Sequence, residues 1–374
     1  MNVIPIYGET SNELLTNMHQ DIKITPTLGI VFSSVSIGIR ELATGLASFP
    51  GEIIGCSSCG EIFPKGDDYP ISDNTAVGLF VDLNPAFFKT KLFPRNESDT
   101  FTLGVSIGTW GKSIFSEPVF LILTSGLQND NEQIVEGIGQ SFSQPVKVFG
   151  GVAGDDGLFQ ETFVFRNGVV SSDGVSVIVF DSQRIEIEGI VTSGWVSLGI
   201  PKIITHSEGN IVYTIDNKPV IDIYKDYLNL KEDELTTYAL DFPLIIHRNN
   251  HTSIIRAPVG NDPEKGSMTF AGTVPVGSKV SFSTSSGVET IRNSIKAIET
   301  FAPVISKADM LLLFSCMARH RTIGDSVIDE ILAAYHHATV PLVGFFTYGE
   351  IGNSADGSCE FHNETYVLVT FTLK

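Results

Sequence analysis

The chain has 374 residues, 42% of them hydrophobic and only 18% charged, enough apolar material to bury a large core. A mainly disordered state and a small disulfide scaffold are therefore excluded. Its 24 Lys plus Arg stand against 43 Asp plus Glu, and the resulting net charge of −19 repels phosphate backbones and anionic headgroups, so nucleic acid and membrane surfaces are not expected partners.

Residues 1–15 show no basic start followed by a long apolar stretch, so nothing marks export and the cytoplasm is the expected compartment. No apolar run approaches the roughly 20 residues that cross a bilayer, and membrane insertion is not expected. In that compartment Cys56, Cys59, Cys316 and Cys359 read as reduced thiols. A first apolar strand, 28–34, ends in hydroxyl residues. It is followed by a helix whose Ile39, Leu42, Ala43, Leu46 and Ala47 fall on one face. Then comes Ile53-Ile54-Gly55-Cys56-Ser57-Ser58-Cys59-Gly60-Glu61-Ile62, and a further strand at 76–82. Cys56 and Cys59 have C-x-x-C spacing, but no helix start follows them, and Cys316 with Cys359 offers no second C-x-x-C to complete a zinc set.

The same order returns twice. The middle copy has a strand at 119–125, a weaker helix with Ile134, Ile138 and Phe142, the looser loop Gly150-Gly151-Val152-Ala153-Gly154-Asp155-Asp156, and a strand at 175–181. Segments 186–198 and 203–215 alternate as antiparallel strands do, with a hairpin turn at Glu208-Gly209-Asn210. Asn217-Lys218-Pro219 opens a helix through Leu228, 231–241 reads as a linker or loop, and Asn249-Asn250 as a hairpin tip between His247 and His251. Val288, Ile291, Ile295, Ile298 and Ala302 mark another helix. The last copy has a strand at 310–315, a helix with Ile328, Ile331, Leu332 and Tyr335, the loop Gly344-Phe345-Phe346-Thr347-Tyr348-Gly349-Glu350-Ile351, and a strand at 365–371. The first and third loops share G-x4-G-E-I. The expected fold is α/β, with mixed sheets built from repeated strand, helix, strand, glycine loop and strand units.

Closely spaced glycines after a strand can turn backbone N–H groups toward one point and form a nest for a carboxylate or phosphate; the alternative is that they merely permit tight bends between strands. Glu61 and Glu350 would then be acceptors facing a common cleft, suited to an ammonium or hydroxyl group; the alternative is that each caps its own turn. Arg319, and after it Arg256, is the cation to pair with a ligand carboxylate, although either also reads as an ordinary ion-pair arginine. Tyr348 and Phe346 would supply an aromatic wall, although Phe346 reads equally as core. Asp67-Asp68 and Asp155-Asp156 read as solvated turn residues rather than an acid/base pair, and no catalytic constellation stands out.

Several segments together resemble the FIST family of bacterial intracellular sensory proteins. They are Gly55-Cys56-Ser57 with Gly60-Glu61-Ile62, Gly150-Gly151 with Gly154-Asp155, the run from Ser207-Glu208-Gly209-Asn210 to Asp216-Asn217-Lys218-Pro219, and Arg256-Ala257-Pro258-Val259-Gly260. Phe314-Ser315-Cys316-Met317-Ala318-Arg319, the third glycine loop and Phe361-His362-Asn363-Glu364-Thr365 complete the set. The resemblance implies an N-terminal part at 1–215, a C-terminal part at 216–374, and a ligand-sensing role. Occupancy by a small molecule, such as an amino acid or other metabolite, would be reported to a separate partner such as a histidine kinase. It also implies an alternative, a haem-based nitric oxide sensor, for which no axial histidine or other metal ligand is assigned; an enzyme using the glycine-loop cleft is the second alternative. The expected ligand-binding residues are Cys56, Ser57, Gly60, Glu61, Gly151, Asp155, Arg256, Cys316, Arg319, Tyr348, Gly349 and Glu350.

Overall fold

A computed structural model describes residues 1–65, 69–127, 130–231, 234–248, 252–354 and 357–374. The Asp67-Asp68 pair, Asn249-Asn250 and His251 lie outside the described residues. Each of the three units forms, and in the same way. Leu28–Ser33 runs parallel to Glu52–Ser57 and antiparallel to Ala76–Asp82. Pro118–Thr124 stands likewise between Val148–Val152 and Gly174–Asp181, and Met310–Cys316 between Leu342–Thr347 and Tyr366–Leu373. A parallel pair needs a crossover connection, which helices Ile39–Leu46, Asn131–Gln140 and Val327–His337 provide. An edge strand then pairs antiparallel with the last strand of each unit: Asn2–Gly8, Phe88–Pro94 and Ile185–Thr192.

The strand after each glycine loop leaves its own unit. Glu61–Ile62 of the first unit pairs with Leu342–Thr347 of the third, Glu350–Asn353 of the third with Val148–Val152 of the second, and Val164–Arg166 of the second with Glu52–Ser57 of the first. The exchange is cyclic, and the three six-stranded sheets have one common strand order. Their inner faces share a core in which Phe32 and Phe345 lie 4.5 Å apart, centroid to centroid, with Phe314 against both. Because each sheet borrows a hairpin from a neighbour, hydrogen-bonded ladders cross the expected division at 215/216 in both directions.

The first glycine of each loop lies inside a strand. Gly55, Gly150 and Gly344 stand in register with Val31, Ile122 and Leu313 of the adjacent parallel strand, and a Cβ at any of the three would collide with that residue's carbonyl oxygen. The shared glycine thus permits close strand approach and is not part of an N–H nest, which corrects that expectation. At Gly150 the left-handed φ of 149° adds backbone strain for any other residue. Gly150→Ala is expected to cost about 2–3 kcal/mol, the upper range for overpacking; urea unfolding that shows an unchanged midpoint would refute this.

Between Ile185–Thr192 and helix Val288–Ile305 the chain builds a separate sheet. Val196–Glu208 and Ile211–Ile215 form the expected hairpin through Gly209, whose φ is 58°. From end to end the order is Ile254–Arg256, Leu244–His247, Lys279–Thr284, Val196–Glu208, Ile211–Ile215, Ser267–Phe270 and Pro258–Asp262, with Lys218–Pro219 beside Ile211–Ile215. The two end strands are separated in the chain by Ala257 alone, so the sheet curls back on itself. The helix Val220–Leu228 fills its concave side with Tyr224 at the centre of a second core. Segment 231–241 contains a short helix, Leu235–Tyr238, and a 3-10 turn, Ala239–Asp241. Among the described residues no helix is long and apolar enough to cross a membrane.

Candidate functional site

A cleft of about 560 Å³ opens where the second unit, the third unit and the inserted sheet meet. Gly126, Asp130 and Phe159 come from the second unit, Ala257, Phe270 and Thr273 from the inserted sheet, and Cys316, Tyr348, Phe361 and Asn363 from the third unit. Asp130 is the N-cap of helix Asn131–Gln140 and accepts from the Gln133 N–H at 3.3 Å, so the helix start at the cleft is already capped.

Asp155 builds one wall of this cleft without lining it. Its carboxylate accepts from the N–H groups of Phe159 (2.9 Å), Gln160 (2.6 Å) and Glu161 (3.0 Å) and from the Tyr348 hydroxyl. These bonds hold Phe159 in a left-handed conformation, φ 53°, with its ring 59% exposed and stacked on Tyr348 at 4.7 Å. Burial, with Cys59 and Asp155 nearby, pushes the Tyr348 hydroxyl far up, so it remains a donor. Phe346 does not join this wall: it is core and stacks on His320.

Glu61 and Glu350 do not face a common cleft. Each is fully buried in its own turn, and at equivalent positions of the repeat. Ser58 Oγ and Thr75 Oγ1 (2.6 Å) donate to Glu61; Thr347 Oγ1, Thr365 Oγ1 (2.7 Å) and the Thr365 N–H (3.2 Å) donate to Glu350. Burial pushes both carboxyls up to about 8 in spite of these donors. Cys56 and Ser57 are buried in the strand beside them, with Ser57 Oγ accepting from the Phe163 N–H at 2.8 Å. Burial also pushes the Cys56 and Cys316 thiols well up, and Cys59 to about 12, so none is an activated thiolate. Gly60 and Gly349 close the two turns, and Gly151 pairs with Glu350 across the exchanged strand. Of the twelve expected site residues, Cys316 and Tyr348 line the cleft.

Both arginines are committed elsewhere. Arg319 is fully buried; it donates through Nε (3.2 Å) and Nη2 to the equally buried Glu330, to the Ser193 carbonyl and to Ser294 Oγ (2.9 Å), with its guanidinium 5.1 Å from the Trp195 ring. Arg256 donates to Glu132 at 2.6 Å and to the carbonyls of Phe361 (3.0 Å), Ile255 (3.1 Å) and Thr273 (3.2 Å). Glu132 also accepts from the Thr273 N–H at 2.6 Å, so this cluster rivets the inserted sheet to the second unit. The expectation that either arginine receives a ligand carboxylate gives way to these structural pairings.

Asn363, which lines the cleft, and its buried neighbour Glu364, which does not, were not foreseen as site residues. Asn363 Nδ2 donates to the His362 carbonyl at 3.0 Å, which orients Oδ1 as an acceptor; that oxygen has no partner among the described residues. Glu364 follows in a left-handed conformation, φ 57°, fully buried, with no partner for either carboxylate oxygen among the described residues. Burial, reinforced by Glu350, pushes it up to about 8. The signal lay in the repeat: Asp73-Asn74-Thr75 occupies the same turn of the first unit, where Asn74 has φ 59°. Asparagine adopts that conformation readily and glutamate does not. Among the described residues no histidine lines the cleft, and no group of three His, Cys, Asp or Glu could hold a metal ion. His247 bonds Ser281 Oγ at 2.8 Å, and burial pushes His362 down to about 3. The haem expectation thus finds no support in this geometry.

The FIST N domain matches residues 27–218, and the FIST C domain matches residues 221–353. The chain belongs to the FIST family. FIST membership carries a sensory or signalling role. The N-domain match takes in most of the first unit, the second unit and the first hairpin of the inserted sheet. Asn363, Glu364 and the closing strand Tyr366–Leu373 lie beyond the C-domain match yet complete the third repeat. An uncharacterized protein of Mycobacterium tuberculosis is 24% identical over 374 residues, 93% of this chain and 91% of that protein. One of Mycobacterium bovis is 26% identical over 239 residues, and the chain spans 60% of its length. One of Methanocaldococcus jannaschii is 29% identical over 226 residues, 52% of this chain and 40% of that protein.

Proposed function

We propose that this FIST protein senses a small molecule in the cleft between the ring of units and the inserted sheet, and reports occupancy to a separate partner such as a histidine kinase in the cytoplasm. The observation that carries this reading is the unpartnered Asn363 acceptor in a cleft walled by three separate chain segments. A ligand that touches both the ring and the inserted sheet binds best when they stand at one distance, and so it shifts the population toward that arrangement. The reading assigns no chemical step.

A thermal-shift screen of metabolites tests it. A cleft ligand at a hundredfold its Kd stabilises the protein by about 2.7 kcal/mol. Its affinity is expected to fall about tenfold in Asn363→Leu, a loss of about 1.4 kcal/mol, and to be unchanged in Lys374→Ala, which lines a different groove. Equal binding by Asn363→Leu would remove the cleft from the account.

A further inference from the structure

The geometry points to an amine, a cationic ligand with an apolar body, as the occupant of the cleft, and not to a carboxylate or phosphate. This inference rests on the reading of the cleft as the ligand site. Its first ground is the inventory of hydrogen-bonding groups. Four prominent donors that border the cleft are already used: the Gly126 N–H by Thr162 Oγ1 at 2.7 Å, the Thr273 N–H by Glu132, the Thr347 hydroxyl by Glu350 and the Tyr348 hydroxyl by Asp155. Two acceptors stand beside them: Asn363 Oδ1, buried and without a partner among the described residues, and the Asp130 carboxylate, one oxygen of which caps the helix. A donor-rich cation satisfies both, and an anion satisfies neither.

Charge gives the second ground. Among the described residues no lysine, arginine or histidine lines the cleft. The two arginines nearest to it are neutralised by Glu132 and Glu330. An anion brought there would meet Asp130 with no cation lining the cleft and would lose its hydration, inside the field of a chain whose net charge is −19. The start of helix Asn131–Gln140 is occupied by the Asp130 cap, and helix Met317–Ile323, which also begins at the cleft, is barely two turns long.

Aromatic faces supply the third ground. Phe159, Tyr348, Phe270 and Phe361 border the cleft, and Phe159 presents its ring at 59% exposure in a conformation fixed by Asp155. Ring faces attract ammonium groups and also cover apolar bodies.

Three compounds of one shape test the class: 2-phenylethylamine, 2-phenylethanol and 3-phenylpropionate. The chain has five methionines, and Met317 lines the cleft, so the carbon-13 methyl signal of Met317, assigned with Met317→Leu, reports binding there. The amine is expected to shift that signal saturably, the alcohol to bind about tenfold more weakly, and the carboxylate to leave it in place. Asp130→Asn, which keeps a capping side chain, is expected to weaken the amine by about tenfold or more while the other methionine signals stay put. A carboxylate that shifts Met317 at the same or lower concentration overturns the amine class and leaves the cleft as a ligand site. If none of the three moves Met317 at tens of millimolar, the amine class fails, and the cleft reading then stands or falls with the Asn363→Leu comparison.

Discussion

Replacing Arg319 with alanine is expected to cost about 3–5 kcal/mol of stability, the range for breaking a buried ion pair by removing one partner. The guanidinium and the Glu330 carboxylate are both fully inaccessible, and Arg319 also bonds the Ser193 carbonyl and Ser294. Alanine would leave a desolvated carboxylate, an unpaired carbonyl and a void beside Trp195. Substituting both partners, Arg319→Met with Glu330→Leu, removes charge from both sides and is expected to recover most of that loss, because apolar packing replaces a desolvated pair. Urea unfolding of the single and double variants measures the difference. An Arg319→Ala protein with unchanged stability and lost ligand binding would return this residue to the recognition site.

The second large effect is on pH dependence. Burial raises Glu61, Glu350 and Glu364 to about 8 in the native state, whereas carboxyls of the unfolded chain titrate near 4.3. Between those values the folded protein keeps protons that the unfolded chain has released, so stability falls as pH rises and the loss is complete above the native values. Each carboxyl contributes at most about 1.4 kcal/mol per pH unit in that window. His362 acts oppositely: its native value of about 3 costs stability as pH falls below the ordinary histidine range. The clean window is therefore about pH 6.5 to 8, above the ordinary histidine value and below the ordinary thiol value of about 8.5, where the buried cysteines would add to the fall. Across it the urea midpoint is expected to fall, and the Glu364→Gln protein is expected to fall less and to be more stable than the natural chain at the alkaline end. Glu364 is the informative choice because no donor in the turn holds it, whereas Glu61 and Glu350 would each leave hydroxyls unpaired. An unchanged slope in Glu364→Gln would show that this carboxyl is ionised, or wet, in the native protein.

The repeat was legible because long apolar strands and the bracketing glycines recur, and both G-E-I turns form the same glutamate-to-hydroxyl bonds. The cyclic exchange was not. Its strands, such as Glu61–Ile62 and Val164–Arg166, are two to four residues long, too short to carry a period, and their partners are remote in sequence. The glycines misled for a related reason: sequence shows that a Cβ is absent at Gly55, Gly150 and Gly344, but not that the neighbour is a strand carbonyl rather than a ligand. Arg319 and Arg256 misled because a charged side chain shows its chemistry in the sequence while the partner that uses it, Glu330 or Glu132, shows only in space. Cys316 and Tyr348 were found because they border the third repeat. Asp130, Phe159 and Asn363 come from segments that only the meeting of two units with the inserted sheet brings together.

A ligand that bridges the ring and the inserted sheet slows exchange in both, which hydrogen exchange with and without 2-phenylethylamine, or with the strongest stabiliser from the metabolite screen, measures. Slower exchange is expected in all three walls together: residues 152–159, 257–273, and 316–318 with 361–364. Protection confined to one wall, or found instead at the groove lined by Lys112, Lys147 and Lys374, would contradict it.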